Sequence, residues 1–195
     1  MKQQIQNYFT EHFATLKKMA DSFEGPVTSA ALLMIATLKR GNKLMIAGNG
    51  GSAADAQHFA AELVGRFLRE RKGLPAVALT TDSSILTAVG NDYGFEQIFS
   101  RQIEALAQPG DLLVAISTSG NSPNICLAAA TAKQRDCSVL ALVGGQGGSL
   151  AGQADQVLHI PSQSTPHIQE GHHLVIHLLC GLVENALADQ EDLHA

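Results

Sequence analysis

Residues 44–63 read LMIAGNGGSAADAQHFAAEL. An apolar run, Leu44-Met45-Ile46-Ala47, meets Gly48-Asn49-Gly50-Gly51-Ser52 and then an alanine-rich stretch. This predicts a strand over 43–47, a glycine turn and a helix over 52–69. Glycines let the backbone turn sharply and aim successive N–H groups at an anion, and the helix N-terminus adds partial positive charge. The turn reads equally as a tight βα connection with Ser52 as N-cap. No Lys follows, so it is not a Walker A loop, and the glycine spacing is not GxGxxG. His58 and Glu62 lie at i and i+4 and share a helix face. They read as a solvated pair or as side chains aimed toward whatever the turn holds.

The same rhythm extends along the chain. Apolar segments at 76–79, 111–117, 138–144 and 156–161 alternate with helical patterns at 83–89, 95–107, 123–134 and 165–187. The strands are apolar on both faces, so they belong to a parallel sheet covered on each side. The expectation is an α/β protein, a three-layer α/β/α sandwich on a five-stranded parallel, doubly wound sheet. Ligands in such sheets sit at the carboxyl ends of the strands. Ahead of the sheet, Ile5, Tyr8, Phe9, Phe13, Leu16, Met19 and Phe23 recur at helical spacing over 4–23. Gly25-Pro26 reads as the end of that helix, and an apolar helix is expected over 28–39. The first stripe needs a partner surface, either the domain body or another subunit.

Composition narrows the function classes. The 195 residues suit one α/β domain, 1–195, with N-terminal helices over 1–40 and an α/β core over 41–188. Net charge is −5, from 13 basic and 18 acidic residues, with no cationic stripe for nucleic acid. No run is long enough to span a membrane and no apolar signal core opens the chain, so a cytoplasmic protein is expected. Cys126, Cys137 and Cys180 form no CxxC pair and read as reduced thiols.

Three further segments carry chemistry. ISTSGNSPN, 116–124, crowds Ser117, Thr118, Ser119 and Ser122 onto a strand-to-helix turn. Ser122-Pro123 is a good N-cap pair, but a cap needs one hydroxyl. The surplus suits a phosphate monoester bound by neutral hydroxyls and backbone N–H groups. HIQEGHHLVIH, 167–177, holds four histidines, with Gln169, His173 and His177 stepping by four along one face. Imidazole and carboxylate donors suit zinc or another borderline metal. His177 lies among leucines and valines, where a solvated imidazole is unexpected and a buried one needs a partner. In GNDYGF, 90–95, Asn91 and Asp92 fit a turn or N-cap, or contacts to sugar hydroxyls.

Taken together, GNGGSAADAQHFAAELVGR, TAVGNDYGFEQIFSRQ, AISTSGNSPN and HIQEGHHLVIH resemble the sugar isomerase (SIS) family, and within it the phosphoheptose isomerase branch. The resemblance runs in order from about residue 30 to 185. It implies isomerisation of D-sedoheptulose 7-phosphate to D-glycero-D-manno-heptose 7-phosphate through an enediol, opening the heptose branch of lipopolysaccharide core synthesis. It implies a cytoplasmic homotetramer with one zinc per subunit, held by His58, Glu62, Gln169 and His177. The implied catalytic pair is Glu62 and His177. The implied substrate contacts are Asn49, Gly50, Gly51, Glu62, Asn91, Asp92, Ser117, Thr118, Ser119, Ser122 and Gln169. SIS relatives that associate with a replication initiator, sugar-phosphate sensors, and isomerases of another phosphosugar are the alternatives. The presence of both Glu62 and His177 favours the enzyme. Three positions depart from the pattern. His167 stands where the family commonly has Arg. Gly171 replaces a branched apolar residue, which loosens the helix by about 1 kcal/mol. His173 is an added imidazole.

Overall fold

A computed structural model describes residues 1–188 of the chain. Two helical segments, α1 (Lys2–Ser22) and α2 (Glu24–Lys39), precede five strands and six further helices. The strands are β1 (Leu44–Gly48), β2 (Ala76–Ala78), β3 (Leu112–Ser117), β4 (Ser138–Val143) and β5 (Gln156–His159). The later helices are α3 (Gly51–Val64), α4 (Ser83–Asp92), α5 (Ser100–Leu106), α6 (Pro123–Gln134), α7 (Gly148–Ala151) and α8 (Thr165–Ala188). All strand pairs are parallel, in the order β2-β1-β3-β4-β5. This is the expected α/β/α sandwich.

Alternate residues of each strand feed opposite layers. Leu44, Ile46, Leu112, Val114, Ile116, Leu140 and Leu142 pack beneath α2, α3 and α8, against Met34, Phe59, Leu63 and Val175. Met45, Ala47, Leu113, Ala115, Val139, Ala141 and Val143 face α5 and α6, against Phe99, Ile103 and Ile125. Every residue of β1 and β3 is buried. The doubly apolar pattern is therefore the direct consequence of two covered faces.

Several boundaries differ from the sequence expectation. Gly25-Pro26 does not end α1. Only Phe23 separates the helices, and Pro26 lies in the first turn of α2, where a missing N–H breaks no helical bond. Helix α3 stops at Val64 rather than 69, because the backbone N–H groups of Phe67, Leu68 and Arg69 donate instead to the Glu184 carboxylate of α8. The expected helix over 95–107 divides into a 3-10 turn at Phe95–Gln97 and α5. Gly171 has a packing reason. A Cβ there would stand 2.7 Å from Ile160 Cγ2, so glycine lets α8 lie closely on the end of the sheet.

Candidate active site

Strand order reverses between β1 and β3, and Gly48 lies beside Ile116 in register. The loops leaving these two strands therefore open side by side at the carboxyl edge of the sheet. In the first loop Gly50 has φ +55° and caps α3, so Ser52 is not the N-cap but a buried residue of the first turn. A Cβ on Gly51 would lie 2.5 Å from Gln169 Nε2. Glycine at 51 is thus what admits the α8 side chain to the turn.

In the second loop Ser122 occupies the N-cap position of α6 but makes no capping bond. Its Oγ instead lies 3.1 Å from Ser117 Oγ. The hydroxyl surplus is therefore gathered inside the loop rather than spent on the helix end. Ser119 Oγ accepts from the Asn121 N–H at 3.1 Å. Thr118 and Ser119 line a cavity of about 310 Å³ with Asn121, Gly145 and Gln163. Asn49 of the first loop and Asn124 in the first turn of α6 exchange two amide hydrogen bonds of 2.8 Å, tying the first loop to the helix that follows the second.

Next to these loops α3 meets α8. His58 Nε2 stands 2.9 Å from His177 Nε2, and Glu62 Oε1 is 3.6 Å from His58 Nε2. His173 stacks on His58 with centroids 4.7 Å apart and meets His177 edge-on at 4.6 Å. Its Nδ1 lies 3.3 Å from Asp55 Oδ1. Phe67 stacks over the His177 ring at 5.4 Å. Burial, and then the neighbouring His173 and His58, push the His177 pKa down, outweighing the opposing pull of Glu62. Burial raises the Asp55 pKa despite the facing His173. Imidazole nitrogens beside a carboxylate are the donor chemistry zinc takes. His58, His173 and His177 each bring one ligand atom within 4.8 Å of the others. The residues present fit a divalent borderline metal.

The geometry is pinned from below by a buried ion pair. Arg71 Nε is 3.2 Å from Glu184 Oε1, both side chains at 3% exposure or less. Arg71 also donates to the carbonyls of Glu62 and Leu63, holding the end of α3. Burial pushes the Glu184 pKa up, but the backbone N–H groups of Leu68, Phe67 and Arg69, with Arg71, bring it below the ordinary value.

The structure brings His58, Glu62 and His177 together and sets Gln169 against the glycine turn. Asn49, Gly50, Gly51, Ser117, Thr118, Ser119 and Ser122 fall on the two adjacent loops. Asn91 and Asp92 do not form a turn. They are the exposed last residues of α4, Asn91 donating to Asp92 at 2.7 Å. Asp82 is the N-cap of that helix. His167 is buried and lies against Glu170, 2.8 Å from Nδ1 to Oε2. Sequence reasoning passed over Asp55, Asn124 and the Arg71–Glu184 pair. The spacing of Asp55 and His58, one turn apart, was the available signal for the first, whereas the others join positions far apart in the chain. The three cysteines are free, and burial pushes the Cys180 pKa up to about 12. Among the described residues no helix is long and apolar enough to cross a membrane.

Comparison with known proteins bears on this site. The SIS domain family model matches residues 7–144. A phosphoheptose isomerase of Trichlorobacter lovleyi is 56% identical over 187 residues, covering 96% of this chain and 95% of that protein. The solved phosphoheptose isomerase of Neisseria gonorrhoeae superposes with a TM-score of 0.89 at 44% identity, covering 94% of this chain and 98% of that one. That of Francisella tularensis gives 0.91 at 40%, covering 94% and 97%.

Proposed function

Because the chain belongs to the SIS domain family and, within it, to the phosphoheptose isomerases, we propose that it converts D-sedoheptulose 7-phosphate to D-glycero-D-manno-heptose 7-phosphate. The reaction class is aldose–ketose isomerisation, the entry to heptose units of lipopolysaccharide. The observation that carries the reading at this site is the meeting of His58 and Glu62 with His177 across α3 and α8, beside two anion-type loops.

The four hydroxyls of Ser117, Thr118, Ser119 and Ser122 receive the phosphate. Asn49, Gly50 and Gly51 approach the sugar body with little side-chain bulk, and Gln169 reaches the same place from α8. Asn91 and Asp92 contact hydroxyls further along the sugar. Glu62 takes the proton from C1 of the ketose, which leaves an enediolate. His177 carries a proton from the C1 oxygen to the C2 oxygen, since imidazole accepts at one moment and donates at the next. A proton returned to C2 completes the aldose, so no redox partner is needed. Zinc held by His58, Glu62, Gln169 and His177 supplies polarisation of the carbonyl when bound.

We infer a cytoplasmic homotetramer. Supporting this, α1 presents Ile5, Phe9 and Phe13 to solvent, each more than half exposed. An apolar stripe of that kind on a lone subunit suits burial against other copies. Residues 1–40 then form the oligomer and 41–188 the catalytic core. The test of function is purified protein with zinc and sedoheptulose 7-phosphate, the aldose product being followed directly. Turnover is expected, and its absence from correctly folded, metal-supplied protein overturns the reading. Light scattering tests the tetramer, which a monomeric mass overturns.

A further inference from the structure

The residue between the two expected ligands of α8 has no assigned role. His173 lies one turn after Gln169 and one turn before His177, on the same helix face. Its side chain is 45% exposed, so packing does not account for it. Nor does it serve as a surface charge, because its ring is held on three sides. It stacks on His58, meets His177 edge-on, and sets Nδ1 against Asp55.

The Asp55 side chain is only 13% exposed. One oxygen faces His173, and the other, Oδ2, is buried with no hydrogen-bond partner among the described residues. Burying a carboxylate with a single imidazole partner is costly for a purely structural contact. The arrangement is what a ligating imidazole requires. A carboxylate accepts a hydrogen bond from Nδ1–H, which fixes the tautomer, orients the ring and leaves the Nε2 lone pair free. Asp55 and His58 both project from α3, so the same helix supplies one imidazole and orients another.

We propose that His173 is a further ligand of the metal centre, joining His58, Glu62, Gln169 and His177 so that three imidazoles face the ion, and that Asp55 is its positioning residue. The proposal rests on the reading that this site holds a metal. Donor atoms around one ion stand at most about 4 Å apart with Zn–N bonds of about 2.0–2.1 Å. One donor atom from each of the three histidines already lies within 4.8 Å of the others, so a closure of about 1 Å gathers them. A third imidazole favours zinc, cobalt or nickel over magnesium or manganese.

The test uses the full-length protein with Zn²⁺ or Co²⁺ as the only added ligand. Affinity is read by competition with a chromophoric chelator, and coordination by the visible spectrum of the cobalt form. His173→Phe keeps the stacking ring without the nitrogen. Asp55→Asn keeps the volume without the acceptor charge. Each is expected to weaken metal binding about 10–100-fold, and His173→Phe to change the cobalt spectrum, while circular dichroism stays that of the parent. Asp55→Asn is expected to leave the spectral form intact at saturating cobalt. If His173→Phe binds as tightly as the parent with an unchanged spectrum, while His58→Ala and His177→Ala lose the ion, the proposal falls and the metal site stands. If the parent itself binds no ion, both fall together. A folding defect in His173→Phe is separated by His173→Gln, for which the same loss of affinity is expected and parental affinity overturns the proposal.

Discussion

Helix α8 carries two histidine clusters, and they are wired differently. Near its start, His167 and His12 of α1 both set Nδ1 against Glu170 Oε2, at 2.8 and 2.6 Å, while Tyr8 donates to Oε1 at 2.5 Å. Further along, His58 and His177 face each other nitrogen to nitrogen at 2.9 Å, with Glu62 no nearer than 3.6 Å to His58. Each cluster brings three donor atoms within 4.8 Å, so spacing does not distinguish them. The carboxylate does. In the first, one carboxylate accepts from three donors and the network is closed, a clasp that docks α1 on α8. Burial pushes the Glu170 pKa up, but His167, Tyr8 and His12 together bring it down. In the second, the imidazoles have lone pairs to offer. The same residue type makes a clasp where a carboxylate sits between the rings and leaves open donor atoms where it sits to one side.

The two clusters are expected to differ most in catalysis. Glu62→Gln and His177→Gln are expected to lower kcat on sedoheptulose 7-phosphate by about 10²–10⁴-fold. Retained turnover in both variants would remove the second cluster from the chemistry. Next in size is the pin beneath it. Glu184→Gln leaves Arg71 buried and unpaired, with an expected loss of about 3–5 kcal/mol in chemical denaturation. That difference carries a pH signature. The Glu184 pKa is lowered in the folded protein from an ordinary 4.5. Its stabilising contribution is therefore complete above about pH 4.5 and is lost as pH falls through the lower, folded value. Parent and variant stabilities should converge only on that acid side, and convergence near neutral pH contradicts the assignment.

Glu170→Gln probes the clasp itself. It is expected to cost about 1–2 kcal/mol through weakened charged hydrogen bonds, while metal stoichiometry and the cobalt spectrum stay those of the parent. Loss of the ion in this variant would erase the distinction between the clusters. The smallest effect is expected at Gly171, between them. Gly171→Ala gains about 1 kcal/mol of helix propensity but drives a Cβ into Ile160. The net expectation is destabilisation of no more than about 1 kcal/mol by thermal melting, and a clear stabilisation would mean that α8 has slack against the sheet.

Much of this was legible in the chain. The doubly apolar strands at 44–48 and 112–117 gave the parallel sheet, and the loops after them gave the crevice. The i, i+4 spacings of His58 with Glu62 and of Gln169, His173 and His177 placed each group on one helix face. Other features were not legible. Helix α3 ends early because Glu184, over a hundred residues later, takes the N–H groups that a continued helix would use. Ser122 looked like a capping residue, yet its hydroxyl turns to Ser117. Asn91 and Asp92 looked like turn formers and instead finish α4, which starts at Ser83 as expected but runs on to Asp92 rather than ending at 89.

Local periodicity, turn chemistry and donor type are properties of neighbouring residues, so the sequence by itself determined the α/β/α architecture, the two loops and the candidate donor groups on α3 and α8. Which groups meet depends on how α3 and α8 cross the sheet, and that was decided only in tertiary structure. Packing against the sheet, the close approach at Gly51 and Gly171, and the buried Arg71–Glu184 pair hold that crossing fixed.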